Sequence, residues 1–318
     1  MLPAVSQTGA MEQEELERHC RDVFARMERG SVVPFLGAGA NRCGRPAEAA
    51  WSRDTYLPDG AELATYFATT YSYPGPDTWD LGRVSQFVDL ELREMALYTD
   101  LRQIFTGGYP PTELHRFLAE LPRARLEQGQ PPPFELIVTT NYDDALEHAF
   151  EDAGQEFDLV YYAAATDQDP GRFVHVVDGR RVRVTQQYRK LLVEGRPVIL
   201  KIHGAVNRTD ETGDSDSYVI TEDHYIDYLA RSNIEKLIPA SLMSKMRTSH
   251  FLFLGYGMRD WNLRVILKHI WAEQRRRGVS WAIQHKADAI DRKFWQREGV
   301  DIVVVDLDRW VDTMREQL

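Results

Sequence analysis

The sequence predicts an α/β protein with a doubly wound, mostly parallel sheet and a helical insertion. Three observations predict it. Seven apolar runs of strand length recur along the 318 residues. Several are apolar throughout instead of alternating, the pattern of strands covered on both faces. Segments of helical periodicity lie between them, and strand–helix alternation builds parallel sheets.

In chain order, strands are expected at 31–36 (SVVPFL), 134–139 (FELIVT), 159–162, 198–202 (VILKI), 250–254 (HFLFL), 280–283 and 301–305. A hairpin around Asp178-Gly179 adds short runs at 173–177 and 181–185. Helices are expected at 12–29, 61–71, 84–105, 112–121, 144–153, 222–236 and 261–276. Thr221 ahead of Glu222 and Asp223 signals a helix start, and Gly278 after three arginines signals a stop. Pro131–Pro133 form a stiff lead-in to the second strand. Residues 40–130 hold mostly helix around a Tyr73-Pro74-Gly75-Pro76 turn and read as an insertion within one domain, 1–318. The arrangement expected is Rossmann-like.

Composition narrows the function classes. Apolar residues make up 43% and charged ones 27%, the balance of a folded chain and not of a disordered one. Forty-nine acidic against 38 basic side chains give a formal charge of −11, which argues against broad electrostatic binding to nucleic acid or anionic lipid. No apolar run approaches the ~20 residues that span a bilayer. The first residues lack a basic region followed by an apolar one, so a cytoplasmic protein is expected. Cys20 and Cys43 are the only cysteines, too few for a disulfide framework or a four-thiolate zinc site, and no metal is expected.

Four strand exits carry candidate chemistry. The first strand runs into Gly37-Ala38-Gly39-Ala40-Asn41, where small residues let backbone N–H groups approach a pyrophosphate, or simply allow a tight turn. The second ends in Thr139-Thr140-Asn141-Tyr142-Asp143-Asp144. Asn141 offers a donor and an acceptor to a ribose hydroxyl or a water, and Asp143 either joins it or caps the next helix. A later strand ends in Lys201-Ile202-His203-Gly204; His203 suits a general base, and Gly204 is expected to leave room beside its ring. The strand at 250–254 leads to Gly255-Tyr256-Gly257-Met258-Arg259-Asp260, where the glycines suit an adenosine pocket and Asp260 either meets ribose hydroxyls or caps a helix. In a parallel sheet the four exits converge at one edge, which points to a shared nucleotide site.

The ordered set Gly37–Gly39, Thr139–Asp143, His203-Gly204 and Gly255–Asp260 resembles the sirtuin-like superfamily. It is most similar to a bacterial branch of NAD-consuming effectors in antiphage defence. The resemblance spans roughly residues 32–267. It implies NAD as substrate, with Gly37, Ala38 and Gly39 at the pyrophosphate and Asn41 and Thr140 beside them in the dinucleotide site. Asn141 and Asp143 would face the nicotinamide ribose, His203 would be the base, and Gly255, Gly257 and Asp260 would contact the adenosine half. Two departures favour cleavage of NAD over deacetylation. The stretch after His203-Gly204 has no cysteine where deacetylases carry a zinc module, and the Pro-Asp-Phe-Arg stretch of deacetylases is replaced by Gly44-Arg45-Pro46-Ala47.

The expected function is therefore an NAD+ hydrolase with Asn141 and His203 as catalytic residues. Its rivals are an NAD-dependent deacylase and a non-catalytic NAD or ADP-ribose sensor. An enzyme that drains NAD needs a trigger, so the resemblance implies a homo-oligomer or an activating partner such as a HerA-type ATPase. Trp271 and the arginines 275–277 form one candidate contact surface, or an ordinary solvated helix end.

Overall fold

In the computed structural model, residues 11–318 are described apart from 54, 93, 165–169, 194–195, 208–212, 214, 231–236, 259–260 and 272–278. The expected helix ends at 231–236 and 272–276, the arginines 275–277 and Asp260 lie outside the described residues.

The apolar runs form strands β1 (Val32–Leu36), β2 (Leu136–Thr139), β3 (Asp158–Ala163), β4 (Arg172–Val177), β5 (Arg180–Arg183) and β6 (Val198–Lys201). After the short pair β7 (Gly204–Ala205) and β8 (Ser217–Tyr218) come β9 (His250–Leu254), β10 (Ser280–Gln284) and β11 (Val300–Val304). Nine of them join in one sheet in the order β11-β10-β9-β1-β2-β6-β3-β4-β5. The sheet is parallel except where the hairpin β4–β5 runs back along β3. Connections from β1 lead one way to β2 and those from β9 lead the other way to β10, so the order reverses between β1 and β9. Ligands in open α/β sheets bind at such reversals. Pro34, inside the central strand, is accommodated because the β1–β2 ladder starts only at Phe35 and Val138.

Both faces are covered. Against one lie α1 (Gln13–Met27), α5 (Glu113–Glu127), α6 (Ala145–Asp152) and α11 (Leu307–Arg315), whose Leu16, Phe117, Phe150 and Trp310 pack on Val32, Ile137 and Leu252. Against the other lie α7 (Glu222–Ala230), α8 (Ala240–Thr248), α9 (Trp261–Trp271) and α10 (Ala289–Arg297), with Tyr228, Leu242, Ile266 and Trp295 on Phe35, Val138 and Phe253. This alternation of odd and even strand positions to opposite faces explains why the strands read as apolar throughout.

Helices α2 (Gly60–Thr70), α3 (Leu81–Leu92) and α4 (Glu94–Phe105) build a third core from Phe67, Val84, Val88, Leu97 and Leu101. That core also takes in Tyr142, Ala145, Val206 and Tyr218, so the helical layer sits over the exits of β2 and β6. The single helix expected at 84–105 is two helices packed on each other. Folding back lets Val84 and Val88 share one core with Leu97 and Leu101. A capping box at Asp59 and Glu62 starts α2.

Burial depresses two histidines, His19 and His115, to about 4. Their unfolded value is ~6.5, so the unfolded chain takes up protons first as the pH falls. Each therefore removes stability between about pH 6.5 and 4, by roughly 3 kcal/mol at most. Glu147, whose carboxyl burial raises, works in the opposite direction. His115→Gln is predicted to show a smaller drop in urea midpoint from neutral to acid pH than the parent. An equal drop in both would show that His115 does not titrate this way.

Candidate active site

The register of the sheet decides what the four motifs share. Leu36 is opposite Leu254 on one side and Thr139 on the other, and Thr139 is opposite Lys201. The ladder runs one residue further, with Gly37 N–H donating to Leu254 O (3.1 Å), Thr140 N–H to Leu36 O (3.2 Å) and Ile202 N–H to Thr139 O (3.0 Å). Asn141 and His203 thus each stand two residues past the same row, on adjacent strands roughly 4.8 Å apart. They are 7% and 2% exposed.

The glycines of the first and last motifs serve each other. A Cβ on Gly37 would lie 2.7 Å from Tyr256 Cα, and one on Gly39 2.6 Å from Gly255 O. Gly255, at φ +63°, would bring its Cβ within 2.1 Å of Ala40 N. Gly39 N–H donates to Gly255 O at 2.8 Å. The β1 and β9 exits therefore cross backbone on backbone, and the N–H groups of Gly37 and Gly39 are engaged within the protein. The short 3-10 turn Ala38–Arg42 follows, with Ala38 and Gly39 half-buried at its tip.

That turn carries Asn41 to the β2 exit, where its Nδ2 donates to Asp143 Oδ2 at 3.0 Å. Asp143 Oδ1 accepts from Ala145 N–H at 3.2 Å, so this carboxylate also closes the first turn of α6. Asn141 N–H donates to Thr139 Oγ1 (3.0 Å) and its Nδ2 to Gly37 O (3.2 Å). The amide orientation is fixed by these partners, because a flip would set oxygen against the Gly37 carbonyl. Among the described residues, Asn41 Oδ1 and Asn141 Oδ1 remain buried acceptors with no hydrogen-bond partner. Thr140 is half-buried beside them.

His203 is packed edge-on against Tyr225 and Tyr228 of α7, at 5.3 and 5.8 Å between ring centroids. Its carbonyl accepts from Val219 N–H at 2.8 Å. Gly204, at φ +98°, does not open space beside the ring as expected. A Cβ there would lie 2.1 Å from Ser217 O, so the β7–β8 pairing occupies that side. Above, the Tyr142 hydroxyl donates to Val219 O at 2.6 Å, and its ring meets Phe105 and Tyr218.

A family model described as a SIR2-like domain matches residues 135–303. The chain belongs to the SIR2-like family. The matched stretch runs from β2 to β11 and holds Asn141, His203 and Gly255. Over 162 residues the chain is 28% identical to the NAD(+) hydrolase ThsA of Acinetobacter baumannii, a match covering 50% of this chain and 24% of that protein. The match therefore spans about a quarter of the relative's length. In this SIR2-like domain the Gly37 turn lies ahead of the matched stretch and is joined to it by the Gly39–Gly255 and Asn41–Asp143 bonds.

Lys201, Tyr225 and Tyr228 neighbour the site although the sequence alone assigns them no role there. Lys201, 1% exposed, points its ammonium at Glu147 Oε1 and the Asp143 carbonyl. A lysine inside the apolar run VILKI was the signal for it. Tyr225 and Tyr228 fall on one face of α7 by their spacing of three. Gly257 is exposed, and a Cβ there meets nothing within 4 Å. Gly257→Ala is therefore predicted to leave the melting transition unchanged, within about 0.5 kcal/mol. A lower affinity for NAD in that variant would place the ligand across Gly257.

Two open hollows, of about 480 and 750 Å³, lie at the opposite, amino-terminal edge of the sheet around Gly154, Gln155, Glu156 and Arg196. They take no part in the strand-exit site. Among the described residues no cluster of three or more His, Cys, Asp or Glu is placed to hold a metal, and no helix is long and apolar enough to cross a membrane.

Proposed function

We propose that this SIR2-like domain hydrolyses NAD at the bond between nicotinamide and ribose. The observation that carries the reading is the pair of buried amide oxygens, Asn41 Oδ1 and Asn141 Oδ1, left without donors among the described residues. An unsatisfied buried acceptor costs free energy, and ribose hydroxyls are the donors that would relieve it. His203 leaves the neighbouring strand at the same level, two residues past the shared row. The name of the relative, an NAD(+) hydrolase, agrees with this chemistry.

In the proposed reaction the C1′–N bond breaks and its electron pair goes to the nicotinamide ring nitrogen, cancelling the pyridinium charge. A water oxygen bonds to C1′, and the water proton passes to the His203 imidazole and then to solvent. The sugar passes through an oxocarbenium-like state, as in glycoside hydrolysis. Asn141 orients the ribose and the water, and Asp143, held by Asn41, supplies negative charge near the developing cation. Burial of Asn141 and His203 keeps bulk water from the reacting carbon, and entry of a dinucleotide requires the cover formed by α7 and the α2–α4 layer to shift. We also propose that NAD depletion serves antiphage defence, and that a homo-oligomer or an activating partner raises a basal turnover which the chain has by itself.

The test is direct. Purified chain is incubated with NAD, and nicotinamide, ADP-ribose and cyclic ADP-ribose are separated by chromatography. Equal amounts of nicotinamide and ADP-ribose support hydrolysis. Binding of NAD without any nicotinamide release contradicts it and favours a sensor.

A further inference from the structure

We propose that Lys201 is a positioning residue for the site: by donating to the main-chain carbonyl of Asp143 it fixes the loop that presents Asn141 and Asp143. The inference rests on the hydrolase reading for what that loop does, and on the packing for how it is held. Lys201 closes β6, two residues before His203, and its ammonium donates to Asp143 O at 2.5 Å. Glu147, one turn into α6, takes the same ammonium on Oε1. The two side chains are 1% and 9% exposed, so the pair is out of water on both sides.

One lysine thereby ties together the three elements that meet at the site. It belongs to the His203 strand, bonds the backbone of the Asn141 loop, and is anchored in the helix that follows that loop. Asn41 reaches the same loop from the β1 exit through Asp143 Oδ2. Displacement of Asp143 O would carry Asn141 with it, two residues upstream, and loosen its bond to Gly37 O.

A buried ion pair is an expensive way to join a strand to a helix. Its desolvation is repaid only by excellent geometry, and well-packed apolar residues of similar volume are often as stable or more so. Glu147 Oε2 is itself buried with no hydrogen-bond partner among the described residues. Stability alone therefore gives little reason for the pair, whereas aiming a carbonyl-bound loop needs a directional donor at that position. Lys201 is the donor that the structure places there.

The consequence is a split between stability and rate. The double variant Lys201→Met/Glu147→Leu replaces the pair with apolar side chains and leaves no unpaired charge. It is expected to lose little stability beyond that of one carbonyl left without its donor, and to lose far less ADP-ribose affinity than rate, within about tenfold, because Asn41 Oδ1 is not displaced. Its kcat for nicotinamide release is expected to fall by about 10²-fold, the effect of a displacement near 1 Å in a positioned group. A drop in kcat with KM unchanged marks an interaction made in the transition state. Lys201→Gln keeps an N–H donor for the Asp143 carbonyl and is expected to recover much of the rate lost in Lys201→Met.

The inference is overturned if the double variant turns NAD over at the parent rate. It is equally overturned if Lys201→Gln and Lys201→Met are slowed alike, a comparison that still decides the matter should the double variant not fold. Absence of nicotinamide release in the parent itself is a different result, and it removes the hydrolase reading.

Discussion

His203→Gln is expected to slow nicotinamide release from NAD by about 10²–10⁴-fold, the range that a positioned general base supplies. The glutamine keeps a polar side chain of similar reach but cannot take the water proton as imidazole does. Because His203 packs edge-on against Tyr225 and Tyr228, truncation to alanine would leave a hole beside both rings. The glutamine variant avoids most of that cavity, so a rate loss with an unchanged melting transition reports chemistry. Affinity for ADP-ribose should stay near the parent value, because the proposed ribose acceptors, Asn41 Oδ1 and Asn141 Oδ1, are untouched. A variant that releases nicotinamide as fast as the parent would remove His203 from the mechanism.

Gly255→Ala is expected to be, with Gly204→Ala, one of the two most damaging single methyl additions at the site. Its φ of +63° lies in the left-handed region, which an L side chain occupies at a cost of about 1–2 kcal/mol. The added Cβ would also stand 2.1 Å from Ala40 N and 2.4 Å from Gly39 C, both backbone atoms that cannot swing away. Overpacking of this kind adds about 1–3 kcal/mol. A total loss of about 2–5 kcal/mol is expected in urea unfolding, together with disruption of the Gly39–Gly255 bond that locks the β1 and β9 exits. A loss under ~0.5 kcal/mol, the level of an ordinary surface change, would show that the two loops do not cross as described.

These two residues illustrate what the sequence makes legible. The seven long apolar runs become seven strands of the sheet, and the hairpin around Asp178-Gly179 becomes β4 and β5. Runs covered on both faces carry their own signal, because neither face can be polar. That the Asn141 and His203 exits lie at one edge of the sheet was legible as well, since exits of parallel strands share an edge whatever their order. The strand order that makes β2 and β6 neighbours was not, because it depends on which crossover skips a position.

Other features are set by contacts distant in sequence. Gly37, Gly39 and Gly204 look like gaps left for a ligand, yet each is filled by backbone from a segment that the local sequence does not name, at Gly255 or Ser217. Helices α8 and α10 leave little trace in the sequence because they are short and bury few side chains, only Trp295 in the case of α10. Three buried apolar residues in the nine of α8, and one in the nine of α10, are too few to set a readable period. The split between α3 and α4 is likewise tertiary, a choice to bury two short faces in one core. Lys201 broke the pattern of its strand openly, but its partners Glu147 and Asp143 lie more than fifty residues away.

The most direct measurement of the central claim is a crystal structure of the His203→Gln variant with NAD bound. The account predicts the nicotinamide ribose between Asn141 and residue 203, with its hydroxyls donating to the Asn41 and Asn141 amide oxygens. Density for the dinucleotide at the opposite edge of the sheet, near Gln155 and Arg196, with those two oxygens still without donors, would contradict it.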